Sequence, residues 1–559
     1  MAIIPRVDWD IIDARVQRYR SQLNGTLAST AYLWIVLEQY FPGSESERSA
    51  SITDGGEDQG IDAIHISETD GSAEIYLFQA KYRETQASTS KTLNESEALK
   101  ILSFIKNLFE KSKPLGETGN VNLDECVKRI WEIHSRGVIC RYRIVMCSND
   151  QGISRSAQTI LNNIKNSYEQ VTWEFYSHKD LIKDLATGQR QSETGSLQII
   201  GKEIFERTDG DVRGAIASID ANSFLDLICT EQRQNIKRYL FDDNLRIYLG
   251  SAGGFNSQII STAHSDDNYL FWYLNNGVTI TCKNYTYNKG HANPKLRLVD
   301  FQIVNGAQTS NALLEASRHR PDLIENIVLL VRVYATDRSD IIERVAVATN
   351  SQAKIQFRDL KSNREILKKL ELAFFEKGYY FERKRNMHSD KHPDCVIDAL
   401  KLGQIIMSFY LGDPDKARAA SDSVFDERFR QLFNESYNID DLCKVFVLYR
   451  YIENMKDRRS LKSKDSSHEN MDVRYLAYGH WHVLYACSVL LKHRKITIPT
   501  GNQIRSIVLE AISVVARACD NQQNTSQYQI FRGPKTKARI FLEITGPQPD
   551  LFDFLGGNS

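Results

Sequence analysis

Two mostly apolar stretches with a few polar positions, 60–66 and 73–82, are rich in β-branched and aromatic side chains. Asp70 and Gly71 between them form a favoured two-residue hairpin turn. With these two residues as the loop, the residues of every cross-strand pair lie equally far from the turn, one before Asp70 and one after Gly71. The pattern therefore predicts an antiparallel hairpin of fixed register.

This register pairs Asp62 with Gln79, and strand alternation puts Lys81 on the same face. Because a lone buried carboxylate or ammonium is costly, we expect the group to be paired or to bind a metal. Mg²⁺ prefers a few hard oxygen ligands, and a neighbouring lysine can orient water against a phosphodiester. The alternative is a surface hairpin with an incidental salt bridge.

Apolar residues at helical spacing surround the hairpin and predict two helices within residues 8–41 and others near 95–112, 123–135 and 154–168. The helix near 95–112 is expected to bury Leu99, Leu102, Ile105, Leu108 and Phe109. Residues 141–147 and 171–176 are strand-like. Alternating strands and helices predict an α/β unit that ends near residue 190.

Polar segments rich in Asn and Gly mark a second region, at residues 275–280, 303–309 and 348–352. Asn-Gly favours tight turns, so strand-ending turns are the simpler interpretation. Three such segments beside apolar elements also suggest loops that converge at one rim. The candidate nucleic-acid or ligand contacts are Asn276, Asn305, Gln308, Asn350 and Gln352.

A basic run, Arg383, Lys384 and Arg385, follows the aromatic residues 379–381. Its charges suit phosphates and its aromatic neighbours suit bases. A solvated, charged helix end is the alternative.

Composition bounds the remaining choices. The 559 residues exceed one hydrophobic core, which predicts two or three domains. Lys+Arg and Asp+Glu are both 71, so any DNA-binding surface must be a local patch. The nine cysteines form no CxxC or zinc spacing. With no signal-peptide pattern in residues 1–9 and no apolar span, we expect a cytoplasmic protein.

The Asp62, Gln79 and Lys81 arrangement resembles the PD-(D/E)XK nucleases, within them the Mrr-like branch, in which Gln replaces the acid of the ExK element. In that pattern a Glu on the preceding helix completes the site, and Glu38 is the matching position. The resemblance implies catalytic roles for these four residues. It implies that Glu38, Asp62 and Gln79 bind Mg²⁺, with Mn²⁺ as a substitute.

A wider set of segments resembles the AIPR family, named for abortive infection and phage resistance. They are LFDDNLRIYL (240–249), FWYLNNG (271–277), IVNGAQT (303–309), ATNSQ (348–352) and YFERKR (380–385). Members often carry an N-terminal DGxxDxGIDAI motif, present here from Asp54 to Ile64. The resemblance implies a prokaryotic antiviral defence protein.

Two shorter resemblances add candidate ligands. The IVNGAQT run is similar to the DGQHR segment of ParB/sulfiredoxin-like folds, where a Gly-led turn before a helix contacts nucleotide phosphates. Near the C-terminus, Gln548, Leu551 and Phe552 resemble the pentapeptide by which bacterial proteins bind the sliding clamp. A docked terminal tail is the alternative there.

Together these features predict an α/β N-terminal restriction-endonuclease-like core, an α+β AIPR region and a mostly helical C-terminal part. The expected boundaries are 1–190, 200–395, 396–525 and a tail at 526–559. The predicted function is a Mg²⁺-dependent DNA endonuclease of antiphage defence. The expected partners are DNA, a second copy of the chain, the sliding clamp and other defence-operon proteins. The alternative function is a non-catalytic sensing component with a silent nuclease core.

Overall fold

The computed structural model of the chain pairs the two predicted strands as an antiparallel hairpin. Strands β1 (Ala63–Thr69) and β2 (Ser72–Lys81) run in the expected register, with Ala63 opposite Phe78. Gly71 has a φ of 82°, a left-handed conformation that glycine adopts without steric cost. The register predicted from the turn is confirmed.

The chain divides into two compact units, Met1–Gln189 with Glu435–Ile439, and Arg190–Asn434 with Asp440–Ser559. The structure describes residues 3–42, 45–56, 58–69, 71–111, 115, 117–187, 193–241, 254–350, 358, 361–385, 387–419, 423–460, 475–520 and 525–546.

A four-stranded mixed sheet forms the centre of the first unit, in the order β1-β2-β3-β4. Strands β3 (Ile139–Ser148) and β4 (Val171–Ser177) run parallel to β2. Such parallel neighbours need crossover connections, and helices supply them. The helices of this unit are α1 (Arg6–Gln22), α2 (Ala28–Tyr40), α3 (Glu45–Ser51), α4 (Glu95–Phe109), α5 (Val121–Ser135), α6 (Arg155–Ser167) and α7 (His178–Thr187).

Helix α4 buries a different stripe from the one predicted. Leu99 is 48% exposed, and the expectation that it lies in the core is wrong. The buried face of α4 is formed by Glu97, Ala98, Ile101, Phe104, Ile105 and Leu108. Ile105 and Leu108 belong to both stripes, so the apolar pattern alone did not fix the rotation of the helix.

A closed five-stranded barrel forms the centre of the second unit, in the order β5-β6-β9-β7-β8. Its neighbours are antiparallel except β7 and β9, which are parallel. The inward-facing residues, Leu197, Ile219 and Ile303 among them, form one apolar core. The strands are β5 (Thr194–Asp209), β6 (Val212–Asp220), β7 (Val278–Thr286), β8 (Lys295–Asn305) and β9 (Val328–Ala335).

Helices and a short parallel pair, β10 (Tyr380–Glu382) and β11 (Val396–Asp398), complete the described part of this unit. The helices are α8 (Ala221–Ile228), α9 (Gly254–His264), α10 (Phe271–Leu274), α11 (Ala307–His319), α12 (Ser339–Asn350), α13 (Glu365–Glu376), α14 (Ala399–Phe409), α15 (Pro414–Ala419), α16 (Phe429–Leu432), α17 (Ile439–Ser460), α18 (Leu476–Arg494), α19 (Gln503–Cys519), α20 (Gln527–Ile530) and α21 (Pro534–Thr545).

The helical character predicted for residues 396–525 is confirmed. The expected tail differs, because α20 and α21 lie inside the range 526–559. Helix α21 starts at Pro534, a residue that suits the first helical turn, and buries Thr536 and Ile540, which are one turn apart. Among the described helices, none combines the length and the apolarity needed to cross a membrane.

Candidate functional site

The first unit contains a cleft of about 330 Å³ at the end of the hairpin, which we call the carboxylate cleft. Asp62, Gln79 and Lys81 all line it, so the three residues that the sequence placed on one sheet face do share a site. The other lining residues are Ser29, Leu33, Asp54, Ala80, Tyr82, Glu84, Glu97 and Lys100.

Asp62 is held in place by the backbone and by Gln79. Its Oδ2 accepts hydrogen bonds from Gln79 Nε2 at 3.0 Å and from the Ala80 N–H at 2.6 Å. Both bonds go to the same oxygen, which leaves Oδ1 for a further ligand. Burial raises the pKa of Asp62 to about 7. The Ala80 hydrogen bond opposes this rise, and the nearby acidic groups Asp54, Asp58 and Glu97 add to it.

Gln79 Oε1 is buried and accepts no hydrogen bond from the residues that the structure describes. Its amide nitrogen donates to Asp62, so the acceptor oxygen beside that carboxylate is left without a donor. A buried amide oxygen without a partner costs free energy, and a cation would relieve that cost. The donor set therefore fits a hard divalent metal, which binds through carboxylate and amide oxygens.

Asp54, which lines the cleft, and Asp58, which lies beside it, form a cluster with Asp62. One carboxylate oxygen from each of the three lies within 4.8 Å of the others. The loop that carries them is folded back on Asp62, whose carbonyl accepts from the Asp54 N–H at 2.9 Å. Asp58 Oδ1 accepts from the Gly60 N–H at 2.8 Å. Both aspartates belong to the DGxxDxGIDAI motif, which was the sequence signal for them.

Glu38 is not among the residues that line the carboxylate cleft. Its carboxylate instead accepts a hydrogen bond from the Tyr19 hydroxyl at 2.7 Å. Ser29 and Leu33 mark the face of α2 that meets the cleft. Glu38 is five residues beyond Leu33, about 140° away around the helix. Glu38 therefore lies outside the cleft, and its role as a metal ligand stays a prediction, to which Asp54 and Asp58 are the alternatives nearer Asp62.

Lys81 forms an ion pair with Glu97, Nζ to Oε1, at 3.8 Å. The other oxygen of Glu97 pairs with Lys100 Nζ at 3.1 Å. Sequence reasoning missed Glu97, although an acid in phase with Ala98, Ile101 and the rest of the buried face of α4 is an unusual core residue. That irregularity was the available signal.

In the second unit, the Asn-rich segments converge as predicted. Asn275 Oδ1 accepts from the Gly277 N–H at 3.0 Å and from Thr309 Oγ1 at 3.1 Å. Asn305 Nδ2 donates to the Thr349 carbonyl at 2.7 Å. We call these residues, with Asn276 and Gln308 beside them, the rim cluster. It links the starts of β7 and α11 to the end of α12.

Gly277 of the rim cluster and the neighbouring Gly306 have packing roles. A Cβ on Gly277, whose φ is 75°, would lie 2.2 Å from the Leu330 carbonyl oxygen. A Cβ on Gly306, whose φ is 115°, would lie 2.8 Å from Val278 Cγ2. Close packing therefore accounts for both glycines. Gln308 differs from them, because its buried Oε1 accepts no hydrogen bond from any residue in the described ranges.

The basic run is mostly internal. Arg383 and Lys384 are each 3% exposed. The Arg383 guanidinium pairs with Glu371 Oε2 at 2.6 Å and donates to the Ser362 carbonyl at 2.8 Å. The expected phosphate-binding surface is corrected accordingly, because burial removes Arg383 and Lys384 from solvent and leaves Arg385 exposed. Gln352, the side chain of Asn350, and the tail residues Gln548, Leu551 and Phe552 lie outside the described residues.

No curated protein and no solved structure matches the chain. The family model described as AIPR protein matches residues 241–532, which is more than half of the 559 residues. The match begins at Phe241, before α9, runs through strands β7 to β11 and the helices up to α20, and includes none of residues 1–189. The chain therefore belongs to the AIPR protein family.

Proposed function

We propose that this protein is a divalent-metal-dependent DNA endonuclease that acts in antiphage defence, with its catalytic centre in the carboxylate cleft. The observation that carries the proposal is the unpartnered, buried Oε1 of Gln79 beside Asp62. Membership of the AIPR family is consistent with an antiphage defence role. The finer resemblance to Mrr-like PD-(D/E)XK nucleases supports the choice of phosphodiester chemistry.

The residues that would hold the metal are Asp54, Asp58, Asp62 and Gln79. When bound, Mg²⁺ would supply positive charge at the scissile phosphate and at a bound water. Asp62 has to be ionised to bind the metal. Because its pKa is raised, metal binding must displace a proton from this carboxyl group below about pH 7.

Lys81 would act on the substrate and the attacking water rather than on the metal. Its ammonium group lies in the same cleft and is partly exposed, so it can reach a substrate phosphate. We assign it the orientation of the attacking water and the stabilisation of negative charge on the pentavalent phosphorane. Cleavage of both strands of a duplex needs two such clefts, so we retain self-association of the chain as part of the proposal.

A test with purified protein uses a supercoiled plasmid and an end-labelled linear duplex, each with Mg²⁺ or with EDTA. We expect nicked and linear plasmid and internal fragments of the duplex in Mg²⁺, and intact DNA in EDTA. Release of single terminal nucleotides would indicate an exonuclease. Intact DNA under all Mg²⁺ and Mn²⁺ conditions would contradict the proposal.

A second candidate function is a sensing or binding component of a defence system with a silent nuclease core. The rim cluster favours it, since Gln308 offers a buried acceptor without a partner at the start of α11. If a variant with both Asp62 and Lys81 substituted still protects cells against phage, this function is favoured over the first.

A further inference from the structure

Lys81 lines the carboxylate cleft and carries the opposite charge to the adjoining cluster of Asp54, Asp58 and Asp62. An ammonium group on a flexible four-carbon stem is drawn towards a carboxylate cluster. If it settled there, it would occupy the position that a metal needs. In the described part of the chain, no ion pair joins Lys81 to Asp54, Asp58 or Asp62. The partner of Lys81 there is Glu97.

Glu97 is well fixed for this role. Its side chain is only 10% exposed, whereas those of Lys81 and Lys100 are 42% and 55% exposed. It lies in the first turn of α4, where the helix dipole favours a negative charge. Its two oxygens take different lysines, Oε1 facing Lys81 and Oε2 facing Lys100.

Lys100 is itself restrained by the loop that carries the aspartates. Its side chain lies against Gly60, where a Cβ would come within 2.6 Å of Lys100 Cβ. Gly60 also donates its N–H to Asp58. Lys100 therefore joins Glu97 to the metal-binding loop, and the carboxylate of Glu97 has little freedom to follow Lys81 if the lysine moves.

We propose that Glu97 is a positioning residue that holds the Lys81 ammonium away from Asp54, Asp58 and Asp62 and so keeps this cluster open to a divalent cation. The inference rests on the proposed metal centre. A competing role is direct metal ligation by Glu97. The two roles differ in one respect: only the positioning role depends on the presence of Lys81.

The test measures Mn²⁺ affinity of the full-length protein by electron paramagnetic resonance of the free ion. The variants are Glu97→Gln, Lys81→Met and the double variant, with Glu95→Gln as the matched control on the exposed side of the same helical turn. We expect Glu97→Gln to weaken binding about tenfold, the usual size of a coupling between neighbouring sites. The double variant should bind Mn²⁺ as tightly as Lys81→Met alone. Glu95→Gln should have no effect.

Either of two other results for the variants overturns the inference. Unchanged Mn²⁺ affinity in Glu97→Gln would show that Glu97 has no role in metal binding. A double variant that binds Mn²⁺ as weakly as Glu97→Gln would show that Glu97 is a metal ligand. If Glu97→Gln does not fold, Glu97→Asp carries the same test, with weaker binding that Lys81→Met reverses. Wild-type protein that binds Mn²⁺ but cuts no DNA would refute the proposed function and leave this inference standing. Wild-type protein that binds no Mn²⁺ would refute both.

Discussion

Gln79 Nε2 donates to Asp62 Oδ2 at 3.0 Å, while Oε1 of the same amide is buried without a partner. The hydrogen bond fixes the orientation of the amide, because only its nitrogen can donate to the carboxylate. The oxygen is therefore held in one position beside the Asp62 carboxylate. In the proposed metal centre, Gln79 would lack the charge of an acid but would offer a preoriented neutral ligand.

Asp62→Asn should abolish Mn²⁺ binding and leave the metal-free protein as stable as the wild type or more stable. The carboxylate is buried with a raised pKa, so its charge costs the metal-free fold about 1 to 4 kcal/mol at pH 8. Thermal unfolding in EDTA measures the stability. A clear loss of stability would show that the ionised group supports the fold.

The metal affinity should depend on pH. Because the pKa of Asp62 is raised from 3.8 to about 7, a proton competes with the metal below that pH. Affinity should rise with pH up to about 7 and then level off. Isothermal titration in buffers of different ionisation enthalpy should detect proton release on binding at pH 6 and little at pH 8.

The stability of the metal-free protein should change with pH in the opposite direction to the metal affinity. The unfolded Asp62 ionises near its ordinary pKa and the folded one near 7. Metal-free protein should therefore lose stability through this group as the pH rises from about 4 to about 7. The difference between wild type and Asp62→Asn in chemical denaturation isolates it. A pH-independent difference would contradict the raised pKa.

Glu38→Gln should bind Mn²⁺ and cut DNA as the wild type does, because Glu38 pairs with Tyr19 away from the cleft. Asp54→Asn should lose affinity, since it removes one of three clustered carboxylates. Asp54 also accepts a hydrogen bond from Thr30 Oγ1, and circular dichroism checks that the variant is folded. The reverse pattern would return Glu38 to the metal site.

Substituting both Asn305 and Gln308 with Ala should spare cleavage of a saturating non-specific substrate and reduce protection against phage. Neither side chain titrates near neutral pH, which favours recognition over chemistry. Gln308→Ala alone is the cleaner variant, because Asn305 also binds the Thr349 carbonyl and its loss should cost about 1 kcal/mol of stability. Loss of cleavage in folded protein would assign the rim cluster to catalysis.

Arg383→Met should destabilise the protein by about 3 to 5 kcal/mol, because it leaves Glu371 without its buried partner. Arg385→Ala is the control in the same run, and its exposed side chain predicts a change below about 0.5 kcal/mol. Denaturant titration measures both. Equal, small losses of stability in the two variants would indicate that Arg383 is exposed and available to bind phosphate.

The sequence was informative where local rules decide the geometry. The hairpin register follows from Asp70 and Gly71 and from strand alternation, so Asp62, Gln79 and Lys81 could be placed together. The position of Glu38 relative to the cleft could not be predicted, because the rotation of α2 depends on what it packs against. Glu97 was hidden for the same reason.

The barrel could not be predicted, because its pairings are distant in sequence. Thr194 of β5 lies opposite Val299 of β8, and Arg213 of β6 opposite Ala335 of β9. Individual strands carry an alternating pattern, but alternation does not specify which distant strand is the neighbour. The convergence of the rim cluster could be inferred only from the unusual composition of its segments.

Catalysis in the carboxylate cleft can be tested by plasmid nicking in Mg²⁺ with four proteins side by side: wild type, Asp62→Asn, Lys81→Met and the control Glu38→Gln. We expect nicking by wild type and Glu38→Gln, and a loss of at least about a hundredfold in the other two, as expected for groups that act in the transition state. Nicking at the wild-type rate by folded Asp62→Asn or Lys81→Met would contradict catalysis in this cleft.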